Sequence, residues 1–328
     1  MESLSAFLSC LAYPRGRVKV IPSIRRTLDD PGREAHCAAA CRLVLPRADW
    51  RAVVSDYLEG YCTMLHINIA PILAQLGPFV LAWHGIFGVL GIYLGIRVPG
   101  SILIAHGVTD SEAYYPAAWW AVAGGLVGAR LLFVLEHLPQ FAAAPLTVFA
   151  VNEGGISVFG GFIGGALVGA LAARWRGIPL GAFADAAGAG MALGQAVGRI
   201  GDIINGEHHG APWQGPLAVV YDNPNTLGQR GIPVHLAVGY ELVLDLLLFA
   251  VLLRLYDRLP RPGMAFWVFF AGYGAIRLVV GFFRQDTIVA WGLGQAQLLG
   301  LFALPLALAA VAILAVTGRR HEAARGYR

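Results

Sequence analysis

Lysine is almost missing from this chain: Lys19 stands alone among 328 residues. Charge of either sign is scarce, at 13% Asp, Glu, Lys and Arg, where a soluble domain carries about 25%. With 57% hydrophobic residues and a mean hydropathy of +0.63, that scarcity excludes an ordinary soluble domain and describes a polytopic membrane protein. Cysteine is absent after Cys62, because Cys10, Cys37, Cys41 and Cys62 all precede Met64. Their spacing matches no common zinc or redox pattern, so they are given no function. Internal repeats of the kind that build many transporters are also missing, which weighs against a transporter of anionic solutes.

What is present is apolar sequence, arginine and glycine. Residues 1–63 are basic and hold no apolar run long enough to span a bilayer, and Leu4 to Ala12 is too short and lacks a basic lead for a signal peptide. They are expected to be a mostly disordered extension upstream of a natural start at Met64. From residue 77 onward, seven apolar segments can each supply about 20 residues of helix: roughly 78–97, 116–136, 154–174, 180–204, 236–256, 263–283 and 293–316. The expected fold is therefore an all-α polytopic membrane protein of seven transmembrane helices over residues 64–318, with a basic tail at 319–328.

The loops set the expected orientation. Arg174 and Arg176 follow the third segment, Arg254, Arg258 and Arg261 the fifth, and Arg319, Arg320, Arg325 and Arg328 the seventh. The alternate loops, 137–153 and 205–235, hold only Arg230. Positive charge stays inside, which makes the C-terminus cytoplasmic and the long loop between helices 4 and 5 extracytoplasmic. The start of the core at Met64 is then outside, a placement with which the basic residues 1–63 conflict. Gly124, Gly128, Gly160, Gly161, Gly164, Gly165 and Gly169 recur at the four-residue spacing that lets helices approach closely in lipid.

An ionisable side chain at the middle of a span costs about 2.5–3.5 kcal/mol on insertion scales and so marks a functional candidate. Spacing groups them: Gln195, Arg199 and Asp202 share one helical face, and Tyr273, Arg277 and Arg284 form a second polar stripe. Glu241, Asp245 and Arg130 lie in other spans. Converging arginines call for an anion, and phosphate suits several guanidinium forks. Internal pairing with Asp202, Glu207, Glu241 and Asp245 is the structural alternative. His84 and His235 could titrate near neutral pH, although a histidine at a membrane interface is commonly only a polar anchor. His208 and His209 have no partner ligands at helical spacing, so no metal is expected.

Several stretches, in this order, resemble the bacterial prolipoprotein diacylglyceryl transferase family. They are WHGIFGVLG at 83–91, GARLLFVL at 128–135, EGGISVFGG at 153–161, GRIGDIINGEHHG at 198–210, HLAVGYE at 235–241, GYGAIRLVVGFFR at 272–284 and LGQAQLLGL from 293. The resemblance covers essentially all of 64–328. It implies seven transmembrane helices in the bacterial plasma membrane and transfer of a diacylglyceryl group from phosphatidylglycerol to the lipobox cysteine of a preprolipoprotein. The partners it implies are that lipid and preprolipoprotein signal peptides, with no nucleic acid and no cofactor. Arg199 and Arg277 match the family's headgroup arginines, and Arg130, Glu207, Gly210, Glu241, Tyr273 and Arg284 match other site positions. The sequence departs from the family pattern where its His-Gly-Gly reads Phe159-Gly160-Gly161, where a tyrosine is replaced by His84 and an asparagine by Asp202, and at Gly281. A base for the thiol is then open between His84, His208 and Glu207. A divergent lipid-binding relative without transfer is the alternative function.

Overall fold

The computed structural model describes residues 64–77, 79–149 and 154–325. The expected extension, residues 1–63, lies outside the described residues. The chain divides into two units.

The smaller unit joins residues 64–68, 212–224 and 229–235. Its sheet is formed by β1 (Leu65–Ile67), β4 (Ala218–Tyr221) and β5 (Val234–His235), with β4 parallel to β1 and antiparallel to β5. Leu65 is level with Val219, and Ala218 with His235. Hence part of the 205–235 loop is ordered as sheet. The Trp213 ring stacks on His235 at 4.6 Å, and His66 Nδ1 donates to Asp222 at 2.7 Å.

The larger unit is mostly helical. It opens with a hairpin of β2 (Ile72–Leu76) and β3 (Phe79–Ala82), then α1 (Trp83–Ala105), α2 (Ser111–Glu136) and the short α3 (Leu138–Ala143). Next come α4 (Val158–Trp175), α5 (Leu180–Asn205), α6 (Ala237–Leu255) and α7 (Met264–Val280), the last running into a 3-10 turn at Gly281–Phe283. The hairpin β6 (Ile288–Ala290) and β7 (Leu293–Gly294) leads into α8 (Gln295–Arg325).

All seven expected segments are helices, but the first begins at Trp83 rather than residue 78, because β3 occupies the residues before it. Among the described residues, five helical stretches are long and apolar enough to cross a membrane: Trp83–Ala105, Ser111–Glu136, Val158–Trp175, Met264–Phe283 and Gln295–Thr317. The other two long helices, α5 and α6, carry charges spread along their length: Asp185, Arg199 and Asp202 on one, Glu241, Asp245 and Arg254 on the other. They bring the polar residues into the bundle.

Glycine sets the helix separations. Along α1 and α5 a Cβ on Gly95 would lie 2.6 Å from the Gly190 carbonyl oxygen, and between α2 and α4 a Cβ on Gly128 would lie 2.9 Å from the Gly164 Cα. Any larger residue there forces the backbones apart. The α7 start has no side-chain cap of its own, and Asp185 of α5 supplies one, accepting from Gly263 N at 2.7 Å and Phe266 N at 2.9 Å. That clamp fixes where α7 begins, and with it the height of Arg277.

Candidate functional site

The two polar stripes read from sequence meet around one carboxylate. Glu241, on α6 and 1% exposed, faces three arginines. Arg199 Nη2 lies 2.6 Å from Glu241 Oε2, Arg277 Nη1 donates to Oε1, and Arg284 Nη1 reaches the same oxygen at 3.2 Å. Arg284 also grips Asp286 through Nε, at 3.0 Å and 3.2 Å. Burying one carboxylate without partners would cost several kcal/mol, so the triple pairing is what permits Glu241 to sit there.

A second carboxylate extends the chain of contacts. Asp202, 4% exposed, accepts from Arg199 Nη1 through Oδ2 at 2.7 Å and pairs with His84 Nδ1 through Oδ1 at 2.7 Å. The same histidine nitrogen is 3.8 Å from Glu207 Oε2. Local sequence explains the meeting. Gly201 leaves room for the first turn of α1, since a Cβ there would lie 2.7 Å from the His84 Cα. Gly206, at φ 80, ends α5 in the left-handed region, and its amide bonds back to the Asp202 carbonyl at 2.9 Å. Glu207 is thereby turned toward His84, and Asn205 Nδ2 holds its Oε1 at 2.9 Å.

Tyr273 lies one turn before Arg277 on α7, stacked on Phe269 at 5.7 Å and within electrostatic reach of Arg199, Glu241 and Asp245. Gly210 pairs by backbone with Arg284, and the next amide, Ala211 N, bonds to the Phe283 carbonyl at 2.8 Å. The structure thus brings together Arg199, Arg277, Arg284, Asp202, Glu207, Glu241 and His84, with Gly210 and Tyr273 beside them. Arg130 is engaged elsewhere. Its guanidinium donates to the carbonyls of Thr147, Val148, Gly154 and Gly155 at 2.6–2.8 Å, and it lies over the rings of Phe133 and Phe141.

His208, outside the spans at φ 54, has its imidazole held below the ordinary histidine range by partial burial, and next by the Arg284 charge. His235 in the smaller unit is shifted the same way by burial. His84, Asp202 and Glu207 each present one ligand atom within 4.8 Å of the others. Arg199 already occupies the other Asp202 oxygen, so a cation there would face a guanidinium charge at close range. Sequence reasoning missed the pairing of His84 with Asp202, which are 118 residues apart. It also missed Asp185; its only signal was an acid within an otherwise apolar span.

Unmet hydrogen-bonding capacity gathers in the same helices. Among the described residues, Gln195 Oε1, Arg199 Nε, Asn205 Oδ1 and Asp245 Oδ1 are buried without a hydrogen-bond partner, and Glu241 Oε2 has the close ion-pair approach of Arg199 Nη2 but no well-aligned hydrogen bond. Buried polar atoms are normally satisfied, so this concentration sets α5 and α6 apart from a purely apolar packing core.

Helices of membrane-crossing length around a buried centre of paired arginines and carboxylates define a multi-pass membrane protein with a charged interior. A family model for prolipoprotein diacylglyceryl transferase matches residues 71–316, and the chain belongs to that transferase family. The phosphatidylglycerol–prolipoprotein diacylglyceryl transferase of Methylibium petroleiphilum is 34% identical over 272 residues, covering 78% of this chain and 99% of that protein. That of Thermus thermophilus is 32% identical over 286 residues, covering 77% and 100%. The enzyme of that name from Dehalococcoides mccartyi is 30% identical over 250 residues, covering 75% and 94%.

Proposed function

We propose that this chain transfers the diacylglyceryl group of phosphatidylglycerol to the lipobox cysteine of preprolipoproteins, with Arg199 and Arg277 holding the lipid phosphate and Arg284 flanking it. The observation that carries this reading is the convergence of three guanidinium groups on Glu241, with Arg199 Nε left as a buried, unused donor. Each guanidinium has five N–H donors, and the carboxylates use only some of them. A phosphodiester oxygen can take the remainder without displacing Glu241.

The thiol belongs to the substrate, consistent with a transferase domain at 64–318 that holds no cysteine. Its thiolate sulfur forms a bond to the glyceryl carbon that carries the phosphate. The carbon–oxygen bond breaks, its electron pair stays on the phosphate oxygen, and glycerol phosphate leaves with one more negative charge than the diester had. Fixed arginines stabilise that growing charge without reorganising. Glu241 aligns the three arginines, Tyr273 and Gly210 shape the same region, and Arg130 holds the carbonyls of Thr147, Val148, Gly154 and Gly155.

The topology that fits is seven spans in a bacterial plasma membrane, counting α5 and α6, whose charges other than Arg254 in the last turn of α6 are buried or nearly so. The C-terminus and the 319–328 tail are then cytoplasmic, and the start of the core and the 205–235 loop are outside, where exported substrates arrive.

The test is complementation of a strain depleted of its own transferase, read by acyl labelling of a lipoprotein. Expression of the chain restores labelling, and Arg199→Ala abolishes it. Loss of one such donor costs about 10²–10³ in rate. A chain that binds phosphatidylglycerol yet never restores labelling would instead be a lipid-binding relative.

A further inference from the structure

Resting on the transferase reading, one question is which group takes the thiol proton. We infer that His84 is the general base and that Asp202 is its positioning residue. Two acidic groups approach Nδ1: Asp202 Oδ1 at 2.7 Å and Glu207 Oε2 at 3.8 Å. A carboxylate can only accept, so Nδ1 carries the hydrogen and Nε2 presents its lone pair on the opposite side of the ring. The side chain is 51% exposed, so a substrate can reach it, whereas Asp202 at 5% cannot be reached.

Asp202 cannot swing away, because Arg199 holds its other oxygen at 2.7 Å. One carboxylate therefore couples the base to the phosphate-binding arginine: base and leaving-group cradle are fixed relative to each other through a single side chain. This is the arrangement of a base oriented by a third group, built here from residues on α1 and α5.

The competing groups fit less well. An imidazole is in general a stronger base toward a thiol than a carboxylate is. Glu207 Oε1 is also occupied by Asn205. His208 stands beside the Arg284 charge, and partial burial further disfavours its protonated form.

The step balances. The lipobox S–H gives its proton to His84 Nε2, the sulfur lone pair forms the C–S bond, and the C–O bond electrons leave on the phosphate oxygen of glycerol phosphate. The imidazolium then returns its proton to that phosphate or to water.

The test uses full-length protein in phosphatidylglycerol vesicles with two lipobox peptides, one bearing cysteine and one selenocysteine, whose selenol ionises at neutral pH without help. His84→Ala is expected to lower the cysteine rate about 10²-fold or more, the selenocysteine rate severalfold at most, and to regain cysteine transfer with added imidazole. Asp202→Asn is expected to lower kcat for cysteine more than for selenocysteine. A His84→Ala protein that slows both peptides equally, or that transfers to cysteine within threefold of the unaltered chain, overturns the assignment of His84 while leaving the transferase reading in place. An unaltered chain that transfers to neither peptide overturns the transferase reading and the base assignment with it.

Discussion

Two arginine environments in this molecule, a partly exposed one around Arg130 and a more enclosed one around Arg199, solve the same problem differently. Arg130 spends its donors on four backbone carbonyls of the 147–155 segment and covers its faces with Phe133 and Phe141. Arg199 is matched by acidic side chains, Asp202 and Glu241, and keeps Nε unused. Neutral carbonyls in a fixed fork make a guanidinium a scaffold, since nothing in that arrangement changes when a ligand arrives. Carboxylates shared among several guanidinium groups leave donors over and make the centre responsive to another anion. The same residue type in two helices thus serves architecture in one place and, as proposed, chemistry in the other.

The largest expected effect breaks that contrast at its centre. Glu241→Gln keeps the shape of the side chain but leaves Arg199, Arg277 and Arg284 around a neutral amide. Breaking a buried ion pair by removing one partner costs about 3–5 kcal/mol, and here three pairs share the lost carboxylate. Thermal unfolding of the purified variant in detergent should show a large drop in Tm together with loss of acyl transfer. A variant that unfolds within a degree or two of the unaltered chain would mean that the arginines are held by something other than Glu241.

A smaller effect is expected at the other site. Arg130→Lys keeps the charge, but a single ammonium cannot span carbonyls from Thr147 to Gly155. Losing one or two of these partly exposed hydrogen bonds costs about 0.5–1.5 kcal/mol each. The readout is limited proteolysis of the 144–157 segment, which should accelerate, whereas Arg277→Lys should leave that cleavage unchanged and weaken phosphatidylglycerol binding. If Arg130→Lys raises the lipid dissociation constant as much as Arg277→Lys does, the division between scaffold and site collapses.

Much of this was legible in the sequence, for identifiable reasons. Apolar runs located every long helix, because a span must satisfy its own backbone hydrogen bonds and therefore announces itself by length and hydropathy. The glycine spacing located the α2–α4 contact. The i, i+3 and i+4 spacing put Arg199 with Asp202, and Tyr273 with Arg277, because helix faces follow from spacing alone. The strands were not legible: β3 is an apolar run that hydropathy merges with the helix after it, and β1 pairs with β4, more than 150 residues later. The dyad of His84 and Asp202 was not legible either, since both positions looked like separate departures and only the packing of α1 against α5 joins them. Nor could spacing separate Arg130 from Arg199. What distinguishes them is the partner, a loop carbonyl or a carboxylate, and that is a tertiary fact.

The finest probe of the contrast is pH at the edge of the arginine centre. His208 is held below its ordinary range, first by burial and then by Arg284, with Arg199 acting in the same direction and Asp202 and Glu207 opposing. In the unfolded chain a histidine protonates near about 6.5, so as pH falls through that value the unfolded state binds a proton that the folded state refuses. Stability attributable to His208 is therefore complete above about pH 6.5 and declines as pH falls toward the depressed folded value, below which the deficit is constant. His208→Asn removes the titration and tolerates the left-handed backbone at φ 54. The difference in Tm between pH 7.5 and pH 5.5 should shrink in this variant without vanishing, because other groups titrate in the same window. Combining it with Arg284→Gln sharpens the attribution: if the arginine charge acts on His208, the two substitutions should reduce the acid sensitivity by less than the sum of their separate effects. Full additivity would assign the effect to burial alone and would remove His208 from the electrostatic reach of the centre.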